Sequence, residues 1–221
     1  MLDSSLLLFV PADRPERYAG ALASGADAVI IDLEDAVAVE RKSSARNILR
    51  DAVSQTPASP TPLLVRINAI GTPWHSCDLT AVLGLLSSGR ISGVMLPKAE
   101  SGDDIAAVRT ALAPVPTSII ALIETAAGLA SAQTIARAAD RIAFGSIDFA
   151  ADIGCDHSRD ALLHARAQLV IAARMAKRSA PIDGVTRSTR DETEIEADAR
   201  YGASLGLKAK LLIHPAQTAP A

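Results

Sequence analysis

The chain has 221 residues, of which 49% are hydrophobic and 21% are charged, and its formal net charge is -3. Only 3% of the residues are aromatic and the basic residues form no stripe or tail, so the composition argues against nucleic acid as a partner. It also argues against a membrane protein, because no run of about 18 apolar residues occurs and the start lacks the pattern of a secretory signal.

Short apolar segments alternate with longer Ala-rich segments along the chain. We predict strands at residues 6–11, 28–33, 63–68, 93–98, 118–124, 141–146, 182–185 and 210–215. They are continuous apolar runs, as is typical of parallel strands covered on both faces. Eight strands with seven intervening helices predict an α/β fold, the (β/α)8 or TIM barrel. The segment at 182–185 is the weakest strand, and without it a doubly wound sheet is the alternative.

We expect a single domain over residues 1–221, because no linker divides the chain. The Pro- and Ser-rich segment 54–62 lies between a predicted helix and a strand, and we interpret it as a loop. No eighth helix follows the last strand. We therefore expect a subunit contact or residues outside this sequence to cover the outward faces of the last and first strands, including some of Leu6, Leu8, Leu211 and Ile213.

Charged and polar residues stand at the ends of five predicted strands. These are Asp32, Glu34 and Asp35 (the acidic cluster), Arg66 and Asn68, Lys98, Glu124 and Asp148. Three neighbouring carboxylates repel each other and need a cationic partner. Because the reactive groups of such barrels lie at the C-terminal ends of the strands, this convergence indicates a site rather than scattered structural ion pairs.

Carboxylates on separate strands without a nearby His or Cys favour a hard cation such as Mg²⁺. We predict Glu124 and Asp148 as its direct ligands, since each stands alone at a strand end. The acidic cluster, with Lys98 beside it, is predicted to surround the metal and to accept hydrogen bonds from its waters. Arg66 is predicted to pair with a substrate carboxylate or a developing oxyanion, and Glu124 to face the substrate as well.

The residues that carry these features resemble one known family over about residues 6–217. The matching segments are "LLLFVPADRPERYAGALASGADAVIIDLEDAV", "RIN", "VMLPKAES", "ALIETAAGL", "FGSIDFAADIG" and "LLIHPAQ". They are similar to the citrate lyase β-subunit family, whose relatives include citramalyl- and malyl-coenzyme A lyases. The resemblance implies a Mg²⁺-dependent barrel that forms a homotrimer when it stands alone.

The resemblance also implies roles for individual residues. Glu124 and Asp148 match the family's metal ligands, and Arg66 matches its substrate-binding arginine. Phe9 stands where the family places an aromatic residue beside the substrate. The turn that carries Arg14 and Arg17 matches a segment near coenzyme A. The alternative for this turn is a solvated helix start with a proline in its first turn.

One departure from the family pattern concerns the end of the chain. Members continue past the "IHP" motif into a helix and a C-terminal lid that reaches a neighbouring subunit. In several members the lid supplies an aspartate for proton transfer at the acetyl carbon. Both the final helix and the lid are absent from this sequence, so we expect a step that depends on the lid to need residues outside it.

We therefore expect a lyase that splits a 3-hydroxyacyl thioester, of citryl, citramalyl or malyl type, into a 2-oxo acid and an acyl thioester. The thiol could belong to coenzyme A or to an acyl carrier protein. One alternative is thioester hydrolysis at the same metal site. The other is a non-catalytic subunit that binds metabolites or a partner.

The remaining histidines and cysteines have simpler interpretations. We expect His157 and His164 to face solvent, and His214 to cap or pack at the last strand. The "WHSCD" segment at 74–78 has too few ligands for a zinc site. Cys77 and Cys155 resemble neither a disulfide framework nor a metal clip, which favours the reducing cytoplasm. Glycines at 145 and 154 are expected to let the backbone turn around Asp148.

Overall fold

Eight parallel strands close into a barrel in chain order in the computed structural model, which describes residues 5–56, 59–113 and 115–221. The strands are β1 (Leu6–Pro11), β2 (Ala28–Asp32), β3 (Leu63–Arg66), β4 (Gly93–Leu96), β5 (Ser118–Ile123), β6 (Arg141–Phe144), β7 (Ile182–Asp183) and β8 (Ala209–Leu212). Each lies within or overlaps a predicted strand. β8 pairs with β1, so the predicted (β/α)8 barrel is confirmed and the doubly wound sheet is wrong.

Helices connect the strands and cover the outside of the barrel. Within the described ranges they are α1 (Tyr18–Leu22), α2 (Lys42–Gln55), α3 (His75–Ser87), α4 (Gly102–Leu112), α5 (Ala126–Ala130), α6 (Ala132–Ala138), α7 (Ser146–Ile153), α8 (Arg159–Met175) and α9 (Glu192–Leu205). Local sequence sets several boundaries. Ser101 and Asp104 form a capping box at the start of α4, and Gly154 ends α7 in the left-handed conformation.

The apolar residues form two layers, one inside the barrel and one between the barrel and its helices. Successive side chains of a strand point to opposite faces, so Leu7 packs inside while Leu8 packs outside. Because both faces are buried, most strand residues are apolar, as the sequence predicts. Among the described residues, no helix combines the length and the apolar character that crossing a bilayer requires.

The predicted loop at 54–62 joins α2 to β3, and its residues 57 and 58 lie outside the described residues. Cover from outside this sequence was expected for some of four residues on strands 8 and 1, and two of the four do not need it. Leu211 is buried because it points into the barrel, and Leu8 is buried in the outer layer, against which Ala221 packs. Leu6 is half-buried, and Ile213 is 43% exposed.

β7 has only two residues and joins β6 through a single pair, Ala143 with Ile182. Buried ion pairs reinforce this part of the wall. The Arg166 Nε donates to Asp183 Oδ1 at 2.9 Å, which links α8 to β7. The Lys210 Nζ on β8 lies 3.7 Å from the other carboxylate oxygen of Asp183.

Candidate active site

A cavity of about 340 Å³, named the rim cavity, opens at the C-terminal ends of the strands. Its lining includes Phe9, Asp32, Asp35, Arg66, Leu122, Glu124, Phe144, Gly145, Ser146, Asp148, Val185, Leu211 and Ile213. Because parallel strands all end at the same rim, residues distant in sequence meet here. Five of the charged residues predicted at the strand ends (Asp32, Asp35, Arg66, Glu124 and Asp148) therefore line one cavity, together with Phe9.

Arg66 is the main cationic partner of the acidic cluster. Its Nε and Nη2 donate to the two carboxylate oxygens of Asp32 at 2.7 and 2.6 Å, and its Nη1 lies 2.9 Å from Glu34 Oε2. Burial opposes the charge on Asp32, but Arg66 outweighs it and holds the pKa of that carboxyl below its usual value. The guanidinium carbon also lies 4.8 Å from the centre of the Phe9 ring. These contacts fix the plane of the guanidinium at the cavity wall.

Lys98 is the second cationic partner, and it bridges three carboxylates. Its Nζ lies 2.7 Å from Glu34 Oε1 and 3.2 Å from Asp148 Oδ2, and 3.6 Å from Glu124 Oε1. Its φ of 48° is in the left-handed region, which is uncommon for a residue other than glycine. Burial lowers the pKa of Lys98, but the surrounding carboxylates, Glu124 first, raise it above its usual value. Lys98 is therefore charged, and its ammonium is held between the carboxylates by these ion pairs.

Glu124 follows β5 and is 2% exposed. Burial, and then repulsion from Glu34, raise the pKa of Glu124 to about 8, although Lys98 and Arg66 pull in the opposite direction. Its Oε1 accepts a hydrogen bond from the backbone N–H of Lys98 at 2.9 Å. Its other oxygen lies against Gly145, where a Cβ would overlap it. The absence of a side chain at Gly145 is what admits the carboxylate.

Glu124 and Asp148 are brought near each other, since the Lys98 ammonium lies 3.6 Å from Glu124 Oε1 and 3.2 Å from Asp148 Oδ2. Asp148 lies in the first turn of α7, and its side chain is 38% exposed. Within the described ranges, no group of three or more His, Cys, Asp or Glu side chains is placed to hold a metal ion. Mg²⁺ commonly takes one or two protein carboxylates and completes its shell with water and substrate oxygens. The pair therefore fits Mg²⁺ better than a metal that needs a full protein cage.

Asp35 of the acidic cluster and Asn68 after strand β3 differ in whether they line the rim cavity. Asp35 is mostly exposed, 3.7 Å from Arg66 Nη1. Asn68 does not line the cavity. Its Nδ2 donates to the Leu33 carbonyl oxygen at 3.0 Å and to Asp78 Oδ2 at 2.6 Å. Asn68 belongs to a buried network beside the site.

Arg14 and Arg17 lie in the exposed turn after β1 and are not among the residues that line the rim cavity. Pro15 begins a short 3₁₀ helix there, as the alternative interpretation predicts. His164 is exposed, as predicted. His214 caps the final 3₁₀ turn by accepting a hydrogen bond from the Ala216 N–H at 3.1 Å, which confirms its predicted role.

Two contacts near the site were not predicted from the sequence. His157 was expected to face solvent, but this is wrong, because it is half-buried with its Nε2 2.9 Å from Ser146 Oγ. Lys42 is buried and donates to the backbone oxygens of Leu33 and Glu34 at 2.7 and 2.6 Å. Both contacts join segments that are close only in the folded barrel, so local sequence carries no signal for them.

Comparison with known proteins gives consistent matches along the chain. Residues 5–215 match the family model described as HpcH/HpaI aldolase/citrate lyase. A citrate lyase subunit beta-like protein of Mycobacterium tuberculosis is 40% identical over 219 residues, which cover 95% of this chain and 74% of that protein. A (3S)-malyl-CoA thioesterase of Cereibacter sphaeroides is 32% identical over 215 residues, which cover 96% of this chain and 73% of that protein.

A solved structure is similar over nearly the whole barrel. It is the citrate lyase beta subunit of M. tuberculosis complexed with oxaloacetate and magnesium. Its TM-score is 0.84 at 38% identity, and the match covers 99% of this chain and 96% of that one. The agreement extends from the sequence to the arrangement of the strands.

Proposed function

The chain belongs to the HpcH/HpaI aldolase/citrate lyase family, and on that premise we propose that it is a Mg²⁺-dependent carbon–carbon lyase. The substrate would be a 3-hydroxyacyl thioester of citryl, citramalyl or malyl type. The products would be a 2-oxo acid and an acyl thioester. The observation that carries the proposal is the pair Glu124 and Asp148, which lines the same cavity as Arg66 at the ends of the strands. The magnesium and oxaloacetate bound by the similar structure support this reading.

Each residue of the site would have a definite task. Glu124 and Asp148 would hold Mg²⁺, which when bound supplies a Lewis acid for the oxygens of the hydroxy-acid portion. Arg66 has five N–H donors, and Asp32 and Glu34 orient them. The donors that these carboxylates leave free would bind the substrate carboxylate. Phe9 would pack against the carbon atoms of the substrate next to that carboxylate.

The bond changes balance without an oxidant or reductant. The hydroxyl loses its proton, its carbon becomes the carbonyl of the 2-oxo acid, and the adjacent carbon–carbon bond breaks. The electron pair of that bond moves into the thioester as an enolate, which takes a proton to give the acyl thioester. Arg66 and Lys98 line up positive charge next to Glu34 and Asp148. The same positive charge would stabilise the negative charge that develops on the substrate oxygens during the reaction.

The test is a screen of citryl-, citramalyl- and malyl-coenzyme A, and of a carrier-protein thioester, with and without Mg²⁺. A lyase releases a 2-oxo acid and no free thiol. We expect Mg²⁺-dependent release of the 2-oxo acid from at least one substrate, and its loss in Asp148→Asn. Glu34→Gln is a milder comparison, because Glu34 contacts the two cations rather than the predicted metal position. Absence of turnover on every substrate by the full-length native protein would rule the proposal out.

A second candidate is hydrolysis of the thioester at the same site. It is favoured by the similarity to a (3S)-malyl-CoA thioesterase. This reaction would release a free thiol and a free hydroxy acid without any 2-oxo acid, so analysis of the products separates the two. A third candidate, a subunit that binds metabolites without catalysis, would bind oxaloacetate or pyruvate and turn over none of the substrates.

A further inference from the structure

A second cavity, of about 290 Å³, lies between α8, α9 and the segment after β7. We name it the arginine cavity, and its lining includes His157, Arg159, Arg166, Thr186, Arg187 and Asp198. It shares no lining residue with the rim cavity. The two are close neighbours, however, because Ser146 of the rim cavity contacts His157 of the arginine cavity at 2.9 Å.

The most informative residue of this cavity is Arg166, which is only 3% exposed although it lines the space. Its Nε donates to Asp183 Oδ1 at 2.9 Å. Its Nη1 is buried and has no hydrogen-bond partner among the described residues. A buried guanidinium with unused donors is unfavourable unless an acceptor meets it. Asp183 accepts from only one nitrogen of the group, and the guanidinium carbon otherwise lies 5.6 Å from the ring centres of Phe144 and Tyr201.

The carboxylates around the cavity are already engaged with other cations. Asp198 accepts hydrogen bonds from the Thr186 hydroxyl at 2.6 Å and from the Lys210 Nζ at 3.0 Å. Lys210 also lies 3.7 Å from Asp183. Only the exposed Glu194 adds a further acidic group to the described lining. Arg159 Nε lies 3.9 Å from Asp198 Oδ1, the outer limit of an ion pair. The described lining therefore carries three arginines, at 159, 166 and 187, against two carboxylates, Glu194 and Asp198.

Two further observations indicate a positive potential. The 17-residue helix α8 begins at this cavity with Ser158 as its N-cap, and a helix N-terminus favours anions. Burial, followed by the charges of Arg166 and Arg187, lowers the pKa of His157 below its usual value. The positive charges of Arg166 and Arg187 disfavour the protonated form of His157, and the same charges would attract an anion.

We propose that the arginine cavity binds a phosphate-class dianion. Arg159, Arg166 and Arg187 would donate to its oxygens, since guanidinium groups match phosphate geometry. The first N–H groups of α8 would contact the same anion. The phosphate could belong to a coenzyme A-type ligand that enters from the rim cavity, or it could be free in solution.

The first experiment is calorimetric titration of the metal-free protein with inorganic phosphate, without any thioester. Arg187→Gln should weaken phosphate binding about tenfold, as expected for the loss of one charge-assisted hydrogen bond. Arg187 is exposed, so the variant should fold normally. Arg190→Gln is the matched control, because Arg190 is exposed in the same segment and does not line the cavity. We expect its affinity for phosphate to equal that of the wild type.

The second experiment identifies the source of the phosphate. If it belongs to the coenzyme, the wild type and Arg190→Gln should bind coenzyme A more tightly than 3′-dephospho-coenzyme A, and Arg187→Gln should lose this preference. If it is free phosphate, saturating coenzyme A should leave phosphate binding unchanged. The proposal is overturned if wild type binds no phosphate, or if Arg187→Gln and Arg190→Gln behave alike in both experiments. Neither titration requires lyase activity, so these results are independent of the proposed function.

Discussion

Replacing Glu124 by glutamine keeps the shape of the side chain but removes its ability to ionise. Burial disfavours the ionised form of this carboxyl. In the folded protein the pKa of Glu124 is raised from 4.5 to about 8. The folded state therefore holds a proton that the unfolded state releases. The stability that this proton contributes is fully present below about pH 4.5 and is lost as the pH rises through about 8.

The magnitude follows from the two pKa values. A rise from 4.5 to about 8, at about 1.4 kcal/mol for each pH unit, makes ionisation of Glu124 cost about 5 kcal/mol above pH 8. Near pH 5.5 most of that cost is absent, because the folded carboxyl keeps its proton. Relative to Glu124→Gln, metal-free wild type should lose about 3 kcal/mol of unfolding free energy between about pH 5.5 and about pH 9.

Urea denaturation with a chelator at these two pH values measures the difference. Glu40→Gln is the control, since Glu40 is exposed in a surface turn, and its difference from wild type should be the same at both pH values. If the gap between wild type and Glu124→Gln does not change with pH, burial does not control this carboxyl as described. Saturating Mg²⁺ should shrink the gap at high pH, because the cation would offset the buried charge.

Three further predictions concern the same site. Asp148→Asn and Glu124→Gln should each weaken Mg²⁺ binding at least about tenfold by calorimetry, because the metal would lose one of two carboxylates; unchanged affinity in both would contradict the ligand assignment. Lys98→Met should bind Mg²⁺ about three- to tenfold more tightly, because the ammonium competes with the metal for the same carboxylates. Without metal the variant should melt at a lower temperature, because the carboxylates lose a cationic partner. Weaker Mg²⁺ binding by the variant would contradict this. Gly145→Ala should cost about 1–3 kcal/mol in urea denaturation because its Cβ would overlap Glu124, whereas Gly84→Ala, in an open position of α3, should be neutral or stabilising.

The sequence predicts the barrel and the composition of the rim well, for a simple physical reason. Apolar runs identify the strands, and parallel strands bring their ends together whatever the loops do. Arg66, Glu124 and Asp148 are therefore expected at one rim, and the structure places them there. The same rule fails for Asn68, because the direction of a side chain just past a strand depends on the loop around it.

The partners within the site are much less predictable. Lys98 contacts three carboxylates, and its backbone adopts a left-handed conformation, which the surrounding residues give no reason to expect. The contact of Ser146 with His157 depends on how α7 turns into α8. Such contacts arise from tertiary packing, so they follow from the fold and not from local sequence patterns.

The short strand β7 has a consequence for the motions of the barrel. Few backbone hydrogen bonds hold this part of the wall, so its local opening should require less free energy than opening at β2. The buried charges of Arg166, Asp183 and Lys210 resist that opening, and bulk salt screens buried pairs only weakly. Val185 and Thr186, just beyond β7, line the rim cavity and the arginine cavity respectively. Fluctuations of this strand would alter both cavities at once, so ligands bound in the two cavities would be thermodynamically linked through β7.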